Sequence, residues 1–315
     1  ESALRLAEGF GQAPENRADT RVAVFTDTGL DINGVALGLN QLILSMRGQG
    51  GEVSLVVCRD AQRSVPACFE GYRDHLTILP AIREFPLPIY GEYILGIPSL
   101  IDVMDLLSEK HINTVQISTP GPVGMVALAA ARICGLKVVM NYHTEIAEFA
   151  HRITGDAGFG ALLKSLVGFF YRQADAVIVP SRDVRARLVQ MGIGPEKIRI
   201  VQRGVDSRRF SPTKRTSPAR SKRVPTLLYV GRVSREKGLD TLFSAYKRIR
   251  SRGVAAKLVI VGDGPARRAY MDANPDPLIE FLGYRTGDDL PRVYADADLF
   301  VFPSATDTFG NAVIE

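Results

Sequence analysis

The chain has 315 residues, 46% apolar and 23% charged, with a formal net charge of +5. At roughly 100–200 residues per domain this is enough for about two domains. The composition excludes a disordered chain, a collagen-like repeat and a small disulfide scaffold, and no apolar run approaches the roughly 18 residues of a membrane span.

Cys58, Cys68 and Cys134 are the three cysteines. An odd count without Cys-x-x-Cys matches no zinc spacing and points to a reducing, cytoplasmic setting. Residues 1–20 contain Glu1, Glu8, Glu15 and Asp19 and no long apolar run, so they read as an extension, not a signal peptide. The chain starts at Glu1, and its last residues, 310–315, read as the opening of a helix. A longer parent protein is therefore expected.

In chain order, the first expected strand is 21–26 (RVAVFT), followed by a helix at 34–47 and a strand at 52–58. Ser99 and Asp102 form a capping-box pattern opening a helix at 99–109. Strand 113–118, helix 124–133 and strand 137–141 follow. Then come helix 159–174, strand 175–180, helix 182–191 and strand 197–201. Short β-rich runs between helices of 10–15 residues predict a parallel sheet covered on both faces, here a first domain over 21–206.

Residues 203–223 carry eight basic side chains and one acid, Asp206, among prolines and serines. Such a stretch reads as a solvated linker, placed at 207–224, with a phosphate- or membrane-attracting strip as the alternative. Nucleic acid is not an expected partner. The pattern restarts over 225–315: strands at 226–230, 256–261, 279–282 and 299–302, and a helix at 239–251. The whole reads as α/β, two doubly wound units, with ligands expected at the carboxyl ends of strands.

The chemistry-bearing clusters lie at those ends. Thr26-Asp27-Thr28-Gly29 and the following Asp31-Ile32-Asn33-Gly34-Val35 form a glycine-containing strand-to-helix turn, which suits an anion or serves as a plain turn. Tyr142-His143-Thr144-Glu145 places His143 just past a strand, as a cleft residue or a structural histidine. Gly231-Arg232-Val233-Ser234-Arg235-Glu236-Lys237-Gly238 puts Arg232 and Lys237 in a glycine-flanked loop suited to a diphosphate.

Gly262-Asp263-Gly264-Pro265 half-resembles a dinucleotide fingerprint, but its third glycine position is Arg267. That leaves a nucleotide-facing turn, with a nicotinamide dinucleotide as the weaker alternative. At the last strand end, Asp307, Phe309, Gly310 and Glu315 place two carboxylates where they can accept hydrogen bonds from sugar hydroxyls. Asp296-Ala297-Asp298 lies on the wrong edge of its strand for a metal, and no metal is expected. Phe159, Leu162, Leu163, Leu166, Phe170 and Tyr171 recur near helical spacing. Phe169 lies beside them and Lys164 and Arg172 flank them. This is an interfacial stripe for a lipid surface or a core stripe.

In this order the clusters resemble the retaining glycosyltransferases of family 4, with the two-domain GT-B fold. Within that family they are most like GDP-mannose-dependent α-mannosyltransferases and sulfoquinovosyl- and glucosyl-diacylglycerol synthases. The matching stretches are Asp31 to Val35, Tyr142 to Glu145, Ala174 to Ser181, Arg203-Gly204-Val205-Asp206, Tyr229 to Gly238, Val261 to Pro265, and Phe302 to Glu315.

The resemblance implies transfer of a hexose, mannose favoured, from a GDP- or UDP-sugar to a lipid or glycan acceptor, without a metal or other cofactor. Gly34, Gly231, Gly262 and Gly264 would let the backbone approach the donor. His143 would lie near the transferred sugar, and Arg232 and Lys237 on the diphosphate. Asp307, Phe309, Gly310 and Glu315 would form the sugar and ribose loop, with Asp307 one methylene shorter than the family's glutamate. Residues 21–206 would be the acceptor-side domain, and the donor domain, 225–315, would be incomplete. A non-catalytic nucleotide-sugar-binding module is the alternative of another class.

Overall fold

A computed structural model describes residues 20–30, 38–39, 43, 46, 51–60, 74–87, 90–143, 157–201, 204–216, 224–285, 287–305 and 310–315. The chain divides into two compact units, Glu1–Gln202 and Arg203–Glu315.

The strands of the first unit are β1 (Arg21–Phe25), β2 (Glu52–Arg59), β3 (Leu76–Leu87), β4 (Tyr90–Pro98), β5 (Thr114–Ile117), β6 (Lys137–Asn141), β7 (Ala176–Val179) and β8 (Ile198–Ile200). They form one sheet in the order β4-β3-β2-β1-β5-β6-β7-β8. All pairings are parallel except β3 with β4. Helices α1 (Leu100–Glu109), α2 (Pro122–Ile133), α3 (Ala157–Arg172) and α4 (Arg182–Gln190) accompany them, with further helical residues at 38–39, 43 and 46.

Alternation along the strands divides the core. Ala23, Phe25, Val115, Ile117, Val138 and Met140 point to one face, packed with residues of α1 to α4. Val22, Val24, Val53, Leu55 and Val57 point to the other, with the helical residues Leu39 and Ile43. Ser99 caps α1, accepting the Asp102 N–H at 3.4 Å, and Ser181 caps α4, accepting from Val184. The β3–β4 pair was not expected from the sequence. Pro98 ends the edge strand β4, Pro80 is the last β3 residue paired with β2, and Pro86 lies beyond it where β3 pairs with β4 alone, which are places that tolerate a missing N–H.

Helix α3 resolves the two readings of its apolar stripe into two faces. Val167, Phe170 and Tyr171 are buried in the core, whereas Leu162, Leu166 and Phe169 are 59%, 56% and 58% exposed. The Phe159 side chain lies outside the description.

The second unit has strands β9 (Thr226–Val230), β10 (Lys257–Val261), β11 (Ile279–Gly283) and β12 (Leu299–Phe300), all parallel, in the order β11-β10-β9-β12. Its helices are α5 (Leu239–Ser251), α6 (Arg267–Ala273), α7 (Asp289–Asp296) and α8 (Asn311–Ile314). Leu258, Ile260 and Tyr229 pack under α5 and α6, and Leu228, Val230, Val259 and Val261 face α7 and Ala312.

The stretch expected as a solvated linker is docked on this unit over its described part. Arg209 donates to the Gly287 carbonyl at 2.8 Å, and Phe210 stands edge-on to Tyr294. Arg215 pairs with Asp298 at 3.1 Å, whose side chain is 2% exposed. The Thr216 N–H and hydroxyl both donate to Asp296. Asp296-Ala297-Asp298 is thus a clamp for the chain entering β9, with Asp298 also accepting the Thr226 N–H. The described part of the stretch remains exposed or half-buried, as charge counting predicts; what charge counting cannot see is the acceptors that hold it in place. Only the Asp298 side of the pair is buried, Arg215 being 36% exposed, so solvent screens it and the pair itself contributes on the order of 1 kcal/mol.

Candidate functional site

In the second unit three strand-end loops are stitched together. After β9, Gly231 donates to the Val261 carbonyl at 3.0 Å, Val233 donates to Asp263 O at 2.9 Å, and Ala266 donates back to Val233 O at 3.1 Å. The approach is possible only without side chains. A Cβ on Gly262, which has φ 121°, would fall 2.0 Å from the Gly231 oxygen, and one on Gly264 2.5 Å from the Val233 oxygen. The third loop, after β12, comes equally near: a Cβ on Gly238 (φ 72°) would meet the Pro303 carbonyl at 2.7 Å.

Gly231, Arg232, Lys237, Gly262 and Gly264 are therefore gathered at one edge of the sheet. Arg232 and Lys237 are half-buried, with Lys237 ending a single 3-10 turn, Arg235–Lys237. Inside this loop, buried Ser234 donates to Glu236 at 2.5 Å. Arg267, where a dinucleotide fingerprint has glycine, turns back on Asp263 at 3.9 Å and donates to the Phe281 carbonyl. It braces the loop and leaves no glycine-lined approach at that corner.

Sequence reasoning missed Tyr284, just past β11 and 49% exposed. Burial pushes its hydroxyl pKa up; Arg232 opposes this and Asp263 adds to it, so the three lie within electrostatic reach. Its signal in the sequence is only a Gly-Tyr pair at a strand end.

Gly310 (φ 73°) opens α8, and Glu315 follows that helix. Tyr294 donates to the Ala312 carbonyl at 2.8 Å and lies 3.3 Å from Glu315 Oε2. Burial raises the Glu315 pKa against the opposing effects of Tyr294 and Arg209. Asp307 and Phe309 lie outside the described residues.

In the first unit, His143 follows β6, and Thr144, Glu145 and Gly34 lie outside the described residues. The helix start expected to take an anion after β1, residues 31–35, lies outside the described residues; Asp27 of the same turn reaches instead to the N-terminus of α2. It accepts the Val123 N–H at 2.9 Å and the Thr119 hydroxyl at 2.6 Å. A Cβ on Gly121 would fall 2.4 Å from Asp27 Oδ2, and one on Gly124 2.1 Å from Thr119 O. The Thr-Pro-Gly-Pro-Val-Gly run thus exists to seat a carboxylate at the positive end of a helix. Burial nevertheless raises its pKa to about 6, outweighing the hydrogen bonds from Thr119, Val123, Gly121 and Gly124.

The model of Glycosyltransferase Family 4 matches residues 32–209, more than half of the chain. The chain belongs to glycosyltransferase family 4. A second model, Glycosyl transferases group 1, matches residues 224–315. Among curated relatives, the sulfoquinovosyl transferase SQD2 of Arabidopsis thaliana is 28% identical over 94% of this chain and 57% of its own length. A GDP-mannose-dependent alpha-mannosyltransferase of Corynebacterium glutamicum is 27% identical over 94% of this chain and 69% of its own. The chain thus spans little more than half of the plant protein. Among solved structures, Anabaena HepE in complex with UDP and glucose aligns with TM-score 0.66 at 18% identity, over 93% of this chain and 77% of its own. That likeness gives the fold: GT-B, with two Rossmann-like parallel-sheet domains.

Proposed function

We propose that this family member is a retaining hexosyltransferase, moving mannose in the favoured reading from a nucleotide-sugar to a lipid or glycan acceptor. The observation that carries it is the convergence of three strand-end loops around Arg232 and Lys237 in the second unit. Breaking the bond between the sugar's anomeric carbon and the phosphate oxygen leaves the electron pair on the nucleoside diphosphate. Two preorganised cations meet that charge and make a metal unnecessary. The relatives' names support both GDP-mannose and, as the alternative, a glucosyl or sulfoquinovosyl donor.

A membrane surface belongs to the same reading. The exposed face of α3 carries Leu162, Leu166 and Phe169, and the helix bears Lys164 and Arg172 and no acid, which suits an anionic bilayer. Among the described residues no helix is long and apolar enough to cross a membrane.

Lys237→Ala in the full-length enzyme tests the assignment. Turnover of nucleotide-sugar should fall about 10²-fold or more, as for the loss of one transition-state contact. Turnover near that of the unmodified enzyme would refute it.

A further inference from the structure

Helix α8 is a single turn, Asn311–Ile314. A helix this short is not stable by itself, and the last carbonyls of any helix lack partners within it. Tyr294, near the end of α7, supplies one from outside. Its hydroxyl donates to the Ala312 carbonyl at 2.8 Å, with Glu315 Oε2 at 3.3 Å as a second acceptor. The Tyr294 ring is in turn held from two elements. It stacks on Phe300 of β12, with centroids 5.6 Å apart and planes at 29°. Phe210, in the chain that enters this unit, meets it edge-on at 5.5 Å and 85°. Arg209 lies over the Phe210 ring and donates to the Gly287 carbonyl. A tyrosine oxygen lies on the axis of its ring, so fixing the ring fixes where the hydroxyl points.

The electrostatics act in the same direction. Burial raises the pKa of the Glu315 carboxyl, and the Tyr294 hydrogen bond and the Arg209 charge both lower it. Burial pushes the Tyr294 hydroxyl up and the Glu315 charge pushes it further, so it stays protonated and remains a donor at neutral pH. Without the hydroxyl of α7 and the guanidinium of the incoming chain, burial would move Glu315 toward its neutral acid, which carries a proton where a carboxylate only accepts. A group that is to take two ribose hydroxyls has to accept.

We propose that Tyr294 is a positioning residue of the donor site. Its hydroxyl holds the Glu315 carboxylate and the α8 turn in place for the ribose, and Phe210 holds its ring, so the incoming chain helps to aim a donor-binding group. Tyr294 itself touches no substrate. The role rests on the glycosyltransfer reading, in which Glu315 meets the ribose; the hold of Tyr294 on Glu315 does not.

Tyr294→Phe in the complete enzyme keeps the ring and removes the donor. The probes are GDP and UDP, each beside its 2′,3′-dideoxy analogue, titrated calorimetrically. For whichever nucleotide binds, the unmodified enzyme should prefer the ribose form. Tyr294→Phe should cut that preference roughly 3- to 10-fold, the size of one hydrogen bond, and leave the affinity for the dideoxy analogue unchanged. A general loosening of the unit would weaken both alike. A second measurement needs no ligand. In NMR of protein with carboxyl-labelled glutamate, the Glu315 signal, assigned by its loss in Glu315→Gln, should titrate at higher pH in Tyr294→Phe, because the charged form has lost a donor. Thermal melting by circular dichroism checks folding. If Tyr294→Phe does not fold, Phe210→Leu, which frees the ring, should cut the same preference. No preference for ribose in the unmodified enzyme, an unchanged preference in the variant, equal weakening of both forms or an unmoved Glu315 titration overturns the inference. If neither nucleotide binds and no nucleotide-sugar is turned over while the Glu315 titration still moves, the glycosyltransfer reading fails and the hold of Tyr294 on Glu315 stands.

Discussion

Replacing Asp27 by Asn changes one buried charge and little else in shape. The Asp27 carboxyl titrates at about 6 instead of 3.8 because burial outweighs its hydrogen bonds. At about 1.4 kcal/mol per tenfold change in proton concentration, this corresponds to ~3 kcal/mol of folding stability. The folded-state value lies above the unfolded one, so the fold prefers the neutral acid. That stabilisation is complete below about 3.8 and is lost as the pH rises through about 6. Asn cannot ionise, so the variant lacks this loss. Urea unfolding followed by circular dichroism at a series of pH values from 4 to 7.5 should show the stability difference moving by ~2.5 kcal/mol in favour of Asp27→Asn, the remainder falling below pH 4. The variant's absolute level is set separately by the weaker cap it offers α2. Curves that stay parallel to within about 0.5 kcal/mol would show that Asp27 is not buried in the way described.

Three further outcomes are expected. Gly262→Ala places its methyl 2.0 Å from a backbone oxygen at φ 121°, and should destabilise the second unit by about 3 kcal/mol or more in denaturant unfolding; a loss under about 1 kcal/mol would mean that the loops separate freely. Excess EDTA should leave transfer activity intact, since Arg232 and Lys237 carry the charge; complete loss restored by Mg²⁺ or Mn²⁺ would contradict that assignment. The chain should co-sediment with anionic vesicles at low salt, less so at high salt, and Phe169→Glu should abolish it; absence of binding at low salt would leave a non-membrane acceptor as the better reading.

What could be read ahead of the structure was what depends on local pattern. Runs such as Val22 to Phe25, Leu227 to Val230 and Leu258 to Val261 are apolar enough to be central parallel strands, and each is one. Helices α1 and α5 declare themselves by amphipathic spacing. The edge pair β3–β4 was hidden by its prolines, and α6 and α7 by shortness, with 7 and 8 residues. Within the site, residue types and strand-end positions marked Arg232 and Lys237. Partners across the fold were invisible: Asp27 finds Thr119 92 residues away, and Asp298 finds Arg215 83 residues away. No local rule says that the glycines after β10 exist to admit carbonyls of the loop after β9.

The contact between Gly262 and the Gly231 carbonyl, and between Gly264 and Val233, has a practical consequence for altering donor preference. The loops after β9 and β10 share backbone hydrogen bonds in both directions, so neither has a shape of its own. Transplanting one of them from a relative with a different sugar donor would set a foreign backbone against a native one at van der Waals limits. The exchangeable module is the pair, roughly residues 231–238 together with 262–267, and chimeras that cut between them are expected to lose folding before they gain a new substrate.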